Sequence, residues 1–247
     1  ELWRTFFLSF IIAVSNLIGT YFLLKEREEY KMPILISVVF ILYAGMHIVR
    51  CVMIKNLSEI YKITYFEINH INEVSTIKLL NDLEPDILIV LGWGQILSKD
   101  VLNIPKIGVI GAHASLLPFY RGSAPINWAI INGLDKTGNT LMWLNDGVDT
   151  GLIIDQFEFE ITPYDSCKSL YSKVAKSNCV MLLRNMEKII LHGKVGVQQT
   201  HLDEPLLPRR KPSDGLIDFN QSATVVYDFI RALTKPYPGA FFFHEGK

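Results

Sequence analysis

Short, almost unbroken apolar runs, each close to a segment of helical spacing, constrain this chain more than anything else in it. "PILISVVF" begins at Pro33, "DILIVL" spans Asp86–Leu91, and another run covers Ile107–Ile110. Each has strand length and lacks the apolar–polar alternation of a sheet with one wet face, so each is expected to be buried on both faces. Helical patterns fall at Asn16–Lys31, Met53–Tyr61 and Asn72–Leu83. Strands alternating with helices predict an α/β fold, a Rossmann-like and mostly parallel sheet with helices on both faces. Phe6–Val14 and Ile34–Phe40 are expected to be adjacent parallel strands joined by a right-handed crossover. "ITYFEI" is read as a further short strand.

Thr5–Leu24 carries no charge and Met32–Val49 is also apolar, so a membrane hairpin over residues 5–54 is the competing reading. Ser15–Asn16, the charged "KEREEYK" and Pro33 punctuate the segment as strand, helix and strand, which favours the sheet. Farther along, a helix is expected over Ala124–Asn132, a strand pair at Thr140–Asn145 and Leu152–Ile161, a long helix over Ser166–His192 and a helix at Ala223–Leu233. The proline-rich, basic "DEPLLPRRKPSDG" marks a change of composition. The expected division is a catalytic domain over 1–203, with 204–247 a linker and the start of a truncated C-terminal region.

The formal net charge of -1 gives no overall reason to bind a large polyanion. The three cysteines, Cys51, Cys167 and Cys179, are odd in number and widely spaced, which suggests neither a disulfide framework nor a zinc site. A reducing, cytoplasmic setting follows.

Chemistry concentrates just past the Ile107–Ile110 run, in "GAHASLLPFYRGSAP". In open α/β sheets ligands bind beyond the carboxyl ends of the strands, where this loop and Gly92–Leu97 both begin. His113 stands there on a loop stiffened by Pro118. "NDGVDTG" then presents Asp149 in a glycine-flanked turn after "TLMWL". Singly, a histidine at a strand end is as readily structural, and an aspartate in a turn is most often a turn former. Together, an imidazole and a carboxylate on two loops of one crevice make an acid–base pair.

"HASLLPFYRGSAPINWAIING" followed by "TGNTLMWLNDGVDTG" closely resembles the folate-dependent formyltransferases, which include the methionyl-tRNA, glycinamide-ribonucleotide and nucleotide-sugar enzymes. The resemblance covers roughly Ile63 to the end and is strongest over Gly108–Gln156. It implies 10-formyltetrahydrofolate as formyl donor, no metal, and a catalytic Asn, His and Asp. His113 and Asp149 match two of these; at the third position, two residues before the histidine, stands Gly111. The resemblance further implies that Trp93, Gly94, Gln95, Ile96, Leu97, Leu117, Gly147 and Val148 line a folate pocket. Ser115, Arg121, Gly122, Arg231 and Tyr237 are expected to meet the acceptor: Arg121, like the cluster in "RRKPSDG", offers a guanidinium that matches phosphate oxygens, although Arg209 and Arg210 are as readily solvated surface arginines.

"IRALTKPYPGAF" is more like the sugar-modifying branch, so the expected acceptor is the amino group of a nucleotide-linked amino sugar. Methionyl-tRNA is the alternative. Gly111 also leaves open a catalytically impaired module that binds folate or a sugar nucleotide. No DNA or membrane partner is expected, and a homodimer stays open.

Overall fold

The computed structural model describes Glu59 and residues 64–200, 203–235 and 237–244. The expected strands and crossover helix before residue 55, and the membrane alternative over 5–54, lie outside the described residues. Among the described residues no helix is long and apolar enough to cross a membrane.

Four strands form one sheet in chain order. They are β1 (Ile87–Val90), β2 (Gly108–His113), β3 (Lys136–Trp143) and β4 (Ile153–Glu160). β1 and β2 are parallel, with Ile87 opposite Gly108. β3 runs antiparallel to both β2 and β4, so the described sheet is mixed, with one parallel pair and two antiparallel pairs. The helices are α1 (Val74–Leu83), α2 (Lys99–Leu102), α3 (Pro125–Ile131), α4 (Cys167–His192) and α5 (Ala223–Ala232).

The unbroken apolar runs are explained by the two cores. Successive strand side chains point to opposite faces. Ile87, Ile89 and Ile110 therefore pack with Met181, Leu182, Met186 and Ile189 of α4, while Leu88 and Val109 pack with Leu80 of α1 and Val101 of α2. Helices thus cover both faces, as the pattern requires. A third cluster joins Ile126, Ala129 and Ile130 of α3 to Cys167 and Leu170 of α4 and Ala232 of α5.

α4 is started by a capping box in which Ser166 and Ser169 satisfy each other's backbone N–H groups. Asp165 precedes it and accepts from Thr162 N and Ser169 Oγ and pairs with Lys173 Nζ at 2.8 Å. Burial pushes the Asp165 carboxyl up, but these donors outweigh it and hold the group down at about 2.

Two expectations need correction. Thr64–Ile68, the described part of "ITYFEI", is not a strand; Thr64, Phe66 and Glu67 are exposed, so the segment buries no continuous face. β3 begins at Lys136 rather than Thr140. At Gly138, inside the added part of the strand, a Cβ would stand 2.3 Å from Leu116 Cδ2 and 2.7 Å from Phe157 O. The glycine belongs to the strand because the loop after β2 lies directly on it.

Candidate active site

His113 is the last residue of β2, and its side chain is 9% exposed. Its Nδ1 lies 3.4 Å from Asp149 Oδ1, and its Nε2 lies 2.8 Å from the carbonyl oxygen of Tyr120. The second carboxylate oxygen of Asp149 accepts from Gly122 N at 2.9 Å. The ring is thus held from both edges, by the β3–β4 turn and by the loop between β2 and α3. The two loops predicted from sequence to share a crevice do meet, through this pair.

The β2–α3 loop is fixed mainly by polar groups beneath it. Thr140 Oγ1 donates to Ser115 O and accepts from Leu117 N, and Gln156 Nε2 donates to Leu117 O. Ser115 Oγ donates to Phe119 O at 2.7 Å, so this buried hydroxyl serves the loop's own turn. Leu117 is buried as well.

Asp149 sits in the left-handed region at φ 54, where its short polar side chain is better tolerated than most. Asn145 Oδ1 shapes the turn by accepting from Gly147 N and Thr150 Oγ1. Tyr120 and Ala124 also have positive φ, at 59 and 55. Three of the four such non-glycine residues among the described ones therefore lie on the two loops that carry the pair, a concentration of backbone strain typical of functional sites.

The Gly92–Ser98 loop is brought alongside. Lys99 Nζ at the start of α2 pairs with Asp146 Oδ2 at 3.1 Å, tying that end of the crevice to the Asp149 turn. Gln95 is turned inward, its Oε1 accepting from Ile71 N, and Leu97 is buried in the core, so these two hold the loop. Ile96 is 79% exposed and Val148 42%. Gly94 has open space where a Cβ would stand, whereas a Cβ on Gly147 would collide with Thr150. Trp93 Nε1 is a buried donor without a partner among the described residues. Exposed apolar surface and an open backbone suit a flat heteroaromatic ring.

Gly111 pairs with Met142 across the sheet. A Cβ at this position would stand 2.5 Å from Leu144 Cδ2 and 2.9 Å from Leu144 Cγ. Leu144 therefore fills the space that a side chain at 111 would enter.

Two of the residues expected to meet the acceptor have partners within the chain. The Arg231 guanidinium pairs with Asp228 and donates to the carbonyls of Thr162 and Asp165, locking α5 to the entry of α4. Tyr237 shares a hydrogen bond with Tyr171 through their hydroxyls at 3.0 Å and packs on the third cluster. Burial pushes the phenols of both tyrosines up. Arg231 thus joins α5 to the entry of α4, and Tyr237, which follows α5, is tied to α4 through Tyr171. Gly122 remains at the site through Asp149, and Arg121 beside it accepts through its carbonyl from Leu207 N.

Sequence reading missed Tyr120, Gln199, Leu207 and Leu144. Tyr120 and Leu207 act through backbone atoms, which no motif marks. Gln199 donates through Nε2 to the carbonyls of Asp149 and Gly151, and no spacing joins it to that turn.

The formyl transferase family model matches residues 46–186, and the model of the formyl transferase C-terminal domain matches 209–247. A bifunctional polymyxin resistance protein ArnA of Wigglesworthia glossinidia brevipalpis is 41% identical over 76% of this chain and 29% of its own length. A methionyl-tRNA formyltransferase of Alkaliphilus oremlandii is 35% identical over 78% of this chain and 62% of its own. The chain thus spans less than two thirds of either relative. Among solved structures, WlaRD, a sugar 3N-formyl transferase determined with dTDP and 5-N-formyl-THF, superposes with a TM-score of 0.58 at 23% identity, covering 72% of this chain and 61% of that one.

Proposed function

The chain belongs to the formyl transferase family, and from that premise we propose that it moves a formyl group from 10-formyltetrahydrofolate to the amino group of a nucleotide-linked amino sugar. The observation that carries the reading is the pair formed by His113 Nδ1 and Asp149 Oδ1, held by loops from two different strand ends.

The donor supplies an activated formyl carbon. In the transfer a C–N bond forms to the acceptor amine and the bond from the formyl carbon to the donor nitrogen breaks; the amine gives up one proton, and the departing donor nitrogen takes one up. Charge that gathers on the formyl oxygen requires a fixed donor nearby. His113 would meet that oxygen through Nε2, which has first to leave the carbonyl of Tyr120. Asp149 orients the ring and is the carboxylate available to take the amine's proton. Trp93, Ile96 and Val148 form the surface for the pterin.

The small acceptor is favoured by charge. The net charge is -1, and the dense basic cluster Arg209–Lys211 is partly engaged. Arg210 stacks over Trp128 at 4.9 Å and Phe229 at 5.6 Å and donates to Asp214 O. A long polyanion would need more free cations than this, and its affinity would fall steeply with salt. The methionyl-tRNA reading keeps its support from the Alkaliphilus relative.

Incubation with 10-formyltetrahydrofolate and a panel of dTDP-, UDP- and GDP-amino sugars, set against charged initiator tRNA, tests the proposal by product mass. One amino sugar is expected to gain a formyl group at a rate that persists at about physiological ionic strength. Formylation of the tRNA far above every sugar would overturn the sugar assignment. No formylated product from any acceptor would favour a module that only binds.

A further inference from the structure

The segment between α4 and the 3₁₀ turn at Pro212–Gly215 is more than a connection. Val197 bridges Ile153 at the start of β4, and Val195 O accepts from Trp143 Nε1 at 2.7 Å. Gln199 Nε2 then donates to Asp149 O at 2.9 Å and Gly151 O at 2.8 Å. Because both acceptors are carbonyls, only the amide nitrogen can face them. Beyond, Leu207 N donates to Arg121 O and Leu207 O accepts from Ser123 N, a bridge that brackets Gly122. Gly122 is the residue whose N–H holds Asp149 Oδ2. A Cβ on Gly122 would stand 2.6 Å from both Leu207 N and Leu207 O, so the approach requires glycine. Trp128 Nε1 donates to Pro208 O and secures the far end.

Each loop that carries the His113–Asp149 pair is therefore pinned from outside by the same stretch of chain. Gln199 fixes the left-handed turn at Asp149, and Leu207 fixes the loop that supplies Gly122 N and Tyr120 O. We propose that Gln199, together with the backbone of Leu207, is a positioning element of the reacting pair, so that the path of the chain between the catalytic fold and its C-terminal region sets the geometry of His113. The inference rests on His113 and Asp149 as the reacting pair. Gln199 touches no reacting atom; it acts through Asp149.

The test uses the whole chain with Gln199→Ala and with Gln199→Asn, which keeps a side-chain amide on a shorter stem, and exposed Gln198→Ala as the control. Loss of the clamp should lower kcat on the order of 10- to 100-fold while KM for donor and acceptor stays within about threefold, because the loss is one of alignment and not of binding. In an Asp149→Asn background the same change should cost less than about twofold, since a residue that acts only through Asp149 has nothing left to position. A second readout needs no turnover. With ¹⁵N-labelled histidine, and the His113 ring signals assigned by their loss in His113→Ala, Gln199→Ala and Gln199→Asn should shift those signals in the direction that Asp149→Asn does, while Gln198→Ala leaves them in place. Unchanged ring signals in folded Gln199 variants, or an undiminished kcat effect in the Asp149→Asn background, would overturn the proposal. If the parent chain formylates no acceptor, the transfer reading fails, and the ring spectra alone decide whether Gln199 positions the pair.

Discussion

Restoring a side-chain amide at position 111 tests what the glycine has cost or permitted. The backbone of Gly111 is ordinary strand with no positive φ, so Gly111→Asn meets only a packing obstacle. That obstacle is specific: the new Cβ would lie 2.5, 2.9 and 3.1 Å from Leu144 Cδ2, Cγ and Cδ1. Rotation of the terminal methyls cannot relieve a clash with Cγ, and the Leu144 backbone is held by its N–H to Val109 O at 2.8 Å. The side chain must turn about χ1. Overpacking of this kind costs about 1–3 kcal/mol. At roughly 2–4 °C per kcal/mol for a chain of this size, the single variant should melt about 2–12 °C lower. Its turnover should not rise, because a displaced amide is no better than none.

Leu144→Ala alone removes a half-buried side chain and should cost less than the roughly 2–5 kcal/mol of a fully buried leucine. The double variant should be more stable than the sum of the two losses by about 1–2 kcal/mol, since one change makes room for the other. If the missing amide limits the chemistry, turnover in the double variant should rise on the order of 100-fold with donor affinity unchanged. Thermal unfolding of the four proteins and single-turnover formyl transfer supply the measurements. A single variant that is as stable as the parent, or a cycle with no coupling, would refute the role given to Leu144.

His113→Ala and Asp149→Asn should each reduce formyl transfer by on the order of 100-fold or more, with near-parental melting, because Asp149 lies in a turn and His113 at the very end of β2; a fully active, folded variant removes its residue from the mechanism. Asp165 offers a pH test. Its carboxyl is held at about 2 against an ordinary 3.8, so its contribution is complete above pH 3.8 and is lost as the pH falls toward 2. That difference corresponds to about 2 kcal/mol. Asp165→Asn should lose this at neutral pH by denaturant titration and converge with the parent near pH 2; a constant gap across that window would contradict the account.

The amino-acid sequence by itself determined the class of the fold and singled out two side chains that the structure brings within 3.4 Å of each other. Apolar runs such as Asp86–Leu91 require burial on both faces, whatever neighbours they acquire, and His113 and Asp149 sit in motifs specific enough to be recognised. It also marked Gly111 as a departure. Tertiary structure alone decided what fills the space above that glycine, because the contact with Leu144 depends on the register between β2 and the strand after it. It likewise decided that Gly138 lies inside a strand, that Arg231 and Tyr237 tie the C-terminal segment to the entry and body of α4, and that Gln199 and Leu207 hold the loops around the His113–Asp149 pair. Backbone carbonyls and N–H groups make most of these last contacts, and every residue carries the same ones. Which of them meet is set by how the chain returns over its own surface, a property that no local pattern of side chains encodes.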